Sequence, residues 1–170
     1  MSIVLVGYRG CGKTTIGRRL ADRLWWPFVD TDDLVVKKAG KSIADIFEQH
    51  GDRRFRELEA EAVKEVAKLQ EHVIALGGGA VLRKDSVDTL RKADHKIVYL
   101  KCDPAELYRR IQSDPNSASH RPNLTPFGGM DEITLLLQER EPMYRAAMTA
   151  ELDVTNQSAA DAVVYIARLV

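Results

Sequence analysis

The sequence predicts an α/β domain whose parallel strands are covered by helices on both sides. Three observations point there. Apolar runs of strand length alternate with amphipathic stretches of helix length, a glycine-rich loop joins the first such pair, and acidic or glycine-rich segments follow the strand ends. The first pair begins with Ile3-Val4-Leu5-Val6 and continues into Gly7-Tyr8-Arg9-Gly10-Cys11-Gly12-Lys13-Thr14-Thr15. This is the P-loop spacing G-x-x-x-x-G-K-T, and its place between a strand and a helix makes the signal strong.

Each residue type in that loop has a chemical reason. Glycines let the chain turn tightly, so the backbone N–H groups of Gly10, Cys11, Gly12, Lys13, Thr14 and Thr15 can surround a polyphosphate. Lys13 supplies a mobile charge for the β- and γ-phosphates, and the Thr14 hydroxyl suits one Mg²⁺ ion accompanying the nucleotide. The first helix starts here and adds its positive dipole end.

At 170 residues with 45% hydrophobic content, the chain is expected to form a single soluble domain, 1–170. Basic and acidic residues number 25 each, so no basic excess points to nucleic acid. No apolar run approaches a membrane span and no signal-peptide order opens the chain, so a cytoplasmic location is expected, with no membrane partner. A monomer is expected as well. Cys11 and Cys102 lack metal-ligand spacing and read as free thiols.

In chain order, Ile16, Leu20 and Leu24 mark a helix over 13–24, and Trp25-Trp26 reads as packing against its end. Pro27-Phe28-Val29 is a second strand, ending at Asp30-Thr31-Asp32-Asp33. Carboxylates just past a parallel strand line the ligand crevice. Asp30 is therefore a candidate to hold Mg²⁺, directly or through water, and Asp32 to orient an acceptor hydroxyl and take its proton. Asp32 or Thr31 is also placed to cap the next helix, over 34–39, and the roles are compatible. A helix from Ser42 closes at Gly51, and another over 52–69 carries Phe55, Leu58, Ala62, Val66 and Leu69 on one face. Arg56 and Glu59, three apart, can pair.

His72 to Leu76 reads as a central strand running into Gly77-Gly78-Gly79. Three glycines there imply that something approaches the backbone closely, with a loose turn as the alternative. A helix over 85–92, a strand over 96–100, and a helix capped by Asp103 and started by Pro104 follow. The stretch 112–130 has no periodicity, and its Arg121 is placed to act as a lid arginine over the phosphates. A helix from about Asp131, ended or kinked by Pro142, precedes a fifth strand at 152–154. A last helix over 159–169 is capped by Ser158.

With these pieces in place the chain resembles the shikimate kinase family, essentially from end to end. The likeness is carried by Gly7 to Thr15, Phe28-Val29-Asp30-Thr31-Asp32, Ser42 to Phe47, Gly51 with Phe55-Arg56-Glu57, Gly77 to Ala80, Arg121-Pro122, and Arg140 with Tyr144. It implies a P-loop fold of the nucleoside monophosphate kinase type, with a five-stranded parallel sheet ordered 2-3-1-4-5. It also implies a substrate-binding segment near 32–59, a lid near 112–130, and a core formed by 1–31, 60–111 and 131–170. The implied partners are ATP and shikimate. Asp32 would meet the ring hydroxyls, Arg56 and Arg140 the carboxylate, and Gly78, with Gly79 beside it, would bind through the backbone. Lys13, Asp32 and Arg121 would be catalytic, with Arg110 and Gln157 near the adenine. The sequence departs from the commonest family pattern in reading Arg121-Pro122-Asn123-Leu124 in a longer lid, and in lacking a proline that some members carry in the adenine loop. A gluconate or nucleoside monophosphate kinase, or an ATP-dependent switch module with no acceptor pocket, are the competing readings.

Overall fold

Strand β1 (Ile3–Val6) is buried at all four residues, because it lies in the middle of a sheet covered on both faces. The computed structural model describes residues 1–115, 125 and 128–170. Within it, β1 is followed by α1 (Lys13–Leu24), β2 (Phe28–Asp30), α2 (Thr31–Ala39), α3 (Ile43–Val66) and β3 (Val73–Ala75). A short 3₁₀ turn (Ala80–Leu82) then leads to α4 (Lys84–Lys92), β4 (Lys96–Lys101), α5 (Pro104–Ser113), α6 (Gly129–Ala147), β5 (Ala150–Asp153) and α7 (Ala159–Ala167). The sheet order is β2-β3-β1-β4-β5, all parallel, as expected. Ile3 pairs with Val73 on one side and Lys96 on the other, so the strands end together and their following loops gather at one edge. Among the described residues no helix is long and apolar enough to cross a membrane.

Several local expectations are corrected. Helix α2 begins at Thr31, and Asp30 caps it by accepting the Asp32 N–H at 3.0 Å, so neither Asp32 nor Thr31 is the cap. The two helices expected on either side of Gly51 are, by contrast, present, and run into one another across a kink within α3. Gly51 sits at φ 79°, ψ 177°, a region essentially closed to other residues, and the chain resumes its helix directly afterwards. Trp25 is not core. It occupies the left-handed C-cap of α1 at φ 58° and is 93% exposed, while Trp26 packs on the core. Asp103 stands at the start of α5 without a side-chain capping bond; its own N–H instead donates to the Thr155 hydroxyl at 3.1 Å.

Pro142 does not end α6 either, which continues to Ala147. The missing N–H is outweighed by the tertiary anchorage of Tyr144, fully buried and stacked on Tyr99 with ring centroids 5.1 Å apart. Both cysteines are free and buried, and burial pushes the Cys102 thiol up to about 11.

Candidate active site

The glycine-rich loop leaves β1 and enters α1 through Gly12, whose φ of 103° lets the chain swing its N–H groups inward. The buried Lys13 ammonium donates to the carbonyls of Gly7 at 2.7 Å and Tyr8 at 3.1 Å. Next to it, the Thr14 hydroxyl donates to Asp30 Oδ2 at 2.9 Å, while Asp30 Oδ1 accepts the Asp32 N–H. A hydroxyl and a carboxylate held against each other at the mouth of a phosphate loop are the hard-oxygen donors that suit magnesium, so the residues present fit that ion.

A cavity of about 930 Å³ extends from this loop. Gly10 to Thr15, Asp30, Asp32, Arg110 and Gln157 all line it, so every described residue expected to meet the nucleotide is brought together. Arg110 is clamped by Glu106 at 2.8 Å, by the Val154 carbonyl at 2.8 Å and by the Cys11 carbonyl at 3.3 Å. It thereby ties the loop to the end of β5. Hydrogen bonds from Arg109 and Arg110 hold the Glu106 carboxyl down to about 2.

A second, much smaller cavity of about 40 Å³ adjoins the first. Asp32, Arg56, Gly78, Gly79 and Arg140 line it, so the described residues implied for the acceptor also converge. Arg56 Nη1 donates to Glu59 at 2.9 Å, its Nε lies 3.5 Å from Asp52, and its guanidinium sits over the Phe55 ring. Glu59 is buried, and burial raises its carboxyl above the usual range against the opposing pull of Arg56. Arg140 is buried over the Tyr8 ring. Tyr144 donates to the Gly78 carbonyl at 2.6 Å, and burial raises its hydroxyl well above the ordinary tyrosine range.

The triple glycine now has a physical account. A Cβ on Gly77 would stand 2.7 Å from Asp32 Oδ1 and 2.8 Å from Glu59 Oε2, and one on Gly79 would stand 2.0 Å from Arg56 Nη1. The functional groups lie directly against bare backbone, as the glycine run implied.

Some lining residues had gone unassigned. Tyr8 and Arg9 occupy unrestricted positions of the P-loop pattern. Phe47 and Phe55, with ring centroids 4.7 Å apart, also line the second cavity, and the sequence pattern places Phe55 only on an apolar helix face. Glu132 is buried in the acceptor pocket and accepts the Thr125 N–H. Its spacing of two helical turns from Arg140 was the available signal. Arg121 lies outside the described residues.

A phosphate cradle with a hard-oxygen pair, opening onto a small pocket that carries two guanidinia and a carboxylate, defines an ATP-dependent small-molecule kinase. Comparison with known proteins narrows the class. The family model "SKI: Shikimate kinase" matches residues 9–170. A shikimate kinase of Rhodopirellula baltica is 39% identical over 156 residues, covering 92% of this chain and 83% of the relative. One from Caldanaerobacter subterraneus subsp. tengcongensis is 45% identical over 146 residues, covering 86% and 82%. Among solved structures, shikimate kinase from Acinetobacter baumannii in complex with shikimate superposes with a TM-score of 0.90 at 33% identity, covering 99% of this chain and 91% of that one. The chain belongs to the shikimate kinase family.

Proposed function

We propose that the protein transfers the γ-phosphoryl group of ATP to the 3-hydroxyl of shikimate, giving shikimate 3-phosphate and ADP. The observation that carries this reading is the meeting of the two cavities at Asp32, which lines both. One cavity has the backbone cradle and lysine that a triphosphate requires. The other has two arginines for a carboxylate and an acidic residue for hydroxyls, and that is the inventory of shikimate.

Arg56 and Arg140 grip the acceptor carboxylate, with Glu59 holding Arg56 in its orientation. The ring packs near Phe47 and Phe55, and the backbone at Gly78 and Gly79 closes one side. Asp32 positions the 3-hydroxyl for in-line attack at about 3–3.5 Å from phosphorus and receives its proton. Lys13 and Arg121 spread the charge that develops on the phosphoryl oxygens, while Arg110 and Gln157 border the adenine. Thr14 and Asp30 would hold one Mg²⁺, which when bound neutralises phosphate charge and orients the chain of phosphates.

A substrate-binding segment near 32–59 and a lid near 112–130, set on the remaining core, belong to the same reading, as do a cytoplasmic location and action as a monomer. The test is an acceptor panel. ADP release should rise with shikimate and remain at background with gluconate, AMP or CMP; release with one of those three and not with shikimate would overturn the assignment.

A further inference from the structure

Three residues line both cavities: Asp32, Ile43 and Arg9. Asp32 has the role given above and Ile43 is apolar, so Arg9 is the cation at the crossing. Its point of departure is rigid. It lies between Gly7 and Gly10, the Cys11 N–H closes a turn onto the Tyr8 carbonyl at 3.2 Å, and Lys13 holds the carbonyls of Gly7 and Tyr8. Its backbone nitrogen sits 3.5 Å from where a Cβ on Gly78 would stand. The side chain therefore starts in the seam between the phosphate loop and the triple glycine. The residue is half-buried. The P-loop pattern leaves this position unrestricted, and nothing in the phosphate cradle requires an arginine there.

We propose that Arg9 is a further catalytic residue, a guanidinium that contacts the phosphoryl group as it passes from the nucleotide cavity into the acceptor pocket. This rests on the reading of the two cavities as ATP and shikimate sites. In the transfer, the acceptor 3-oxygen bonds to the γ-phosphorus. The bond from that phosphorus to the bridging oxygen breaks, its electron pair stays on ADP, and the hydroxyl proton passes to Asp32. Lys13 serves the side the group leaves. Arg9 serves the side it enters, where a planar cation can span two equatorial oxygens.

The experiment compares Arg9→Met and Arg9→Lys with the unaltered protein in steady-state kinetics, with calorimetric binding of ADP, shikimate and shikimate 3-phosphate, and with thermal melting. Arg9→Met should lose about 10²-fold in kcat, the scale of removing one preorganised transition-state donor. Its affinities for ADP and shikimate should stay within about threefold, so the loss falls on the transition state rather than on substrate binding. Affinity for shikimate 3-phosphate should drop by about tenfold, since only the product carries the group Arg9 holds. Arg9→Lys should recover part of both losses.

Unchanged kcat would overturn the proposal. So would equal weakening of shikimate and its 3-phosphate, which would make Arg9 a carboxylate anchor. Should Arg9→Met fail to melt cooperatively, the same comparison of the two ligands on Arg9→Lys decides. If the unaltered protein does not phosphorylate shikimate, the underlying reading falls; if it does and Arg9→Met equals it, the role of Arg9 alone falls.

Discussion

Adding one methyl group at Gly79 should cripple acceptor binding while leaving nucleotide binding intact. The backbone there has φ −101°, so alanine is conformationally acceptable and the effect is steric alone. The new Cβ would lie 2.0 Å from Arg56 Nη1, 2.7 Å from its Cζ and 3.0 Å from Nη2. Ordinary contact begins at 3.4 Å, so the guanidinium must withdraw from 2.0 Å by about 1.4 Å. That shift breaks the 2.9 Å bond to Glu59 and leaves a buried carboxyl without its partner. Displacements of about 1 Å at a positioning group can cost on the order of 10²-fold. Gly79→Ala should therefore raise the KM for shikimate by roughly 30- to 100-fold, with the KM for ATP unchanged. Loss of the ion pair should cost about 1–3 kcal/mol of stability. Gly78→Ala supplies the contrast, since its Cβ would meet its neighbours at 3.5–3.6 Å, which is ordinary contact. A coupled ADP-release assay across a shikimate titration, with a urea melt, measures all of this. A shikimate KM within twofold of the unaltered protein, or a larger effect at Gly78, would refute the reasoning.

If Asp32 takes the acceptor's proton as proposed, replacing it by Asn should lower turnover by about 10²–10⁴-fold with ADP affinity unaltered by calorimetry, because the phosphate cradle loses nothing. Acid should destabilise the fold through His95. Its Nδ1 accepts the Ser2 N–H at 3.2 Å, its Nε2 pairs with the Ala67 carbonyl at 3.0 Å, and burial lowers its affinity for a second proton below the ordinary 6.5. The stabilisation is thus complete above pH 6.5 and is lost as pH falls through the lower folded value, because the unfolded chain takes up the proton first. Melting temperature measured from pH 7.5 to 5 should fall, and more steeply than in His95→Gln. Trp25→Gly should stabilise the protein by about 1 kcal/mol, or roughly 2–4 °C in Tm, by relieving a left-handed residue that is almost wholly exposed.

The architecture was legible because a parallel sheet buried on both faces writes itself as apolar runs, and because the phosphate loop needs glycines at fixed spacing. Element ends were less so. Pro142 marks a helix stop by its own chemistry, yet Tyr144 two residues on is anchored through Tyr99 and the Gly78 carbonyl, partners distant in sequence. Trp25 misled for the converse reason: an aromatic pair implies packing, but the α1 cap turns the two rings to different environments. The acceptor pocket was the hardest part to read. Arg56 stands on α3, Arg140 on α6 and Glu132 two turns before it, and no local pattern says that these helices face a common glycine run. Resemblance to a family supplied what periodicity lacks.

The composition of that pocket also constrains how an acidic acceptor is chosen. Arg9, Arg56 and Arg140 face it together with Asp32, Glu59 and Glu132, so cations and carboxylates are matched in number. The chain as a whole is balanced too, with 25 basic and 25 acidic residues. Long-range attraction therefore has little to act on, and discrimination must come from short-range placement. Glu59 is engaged by Arg56 and Glu132 by the Thr125 N–H, so two of the three carboxylates already have partners within the protein. On the proposed reading, the acceptor meets the guanidinia of Arg56 and Arg140 at one end and Asp32 at the other. A carboxylate with hydroxyls at the wrong distance satisfies one end only, and a neutral polyol satisfies neither arginine, leaving buried donors without partners.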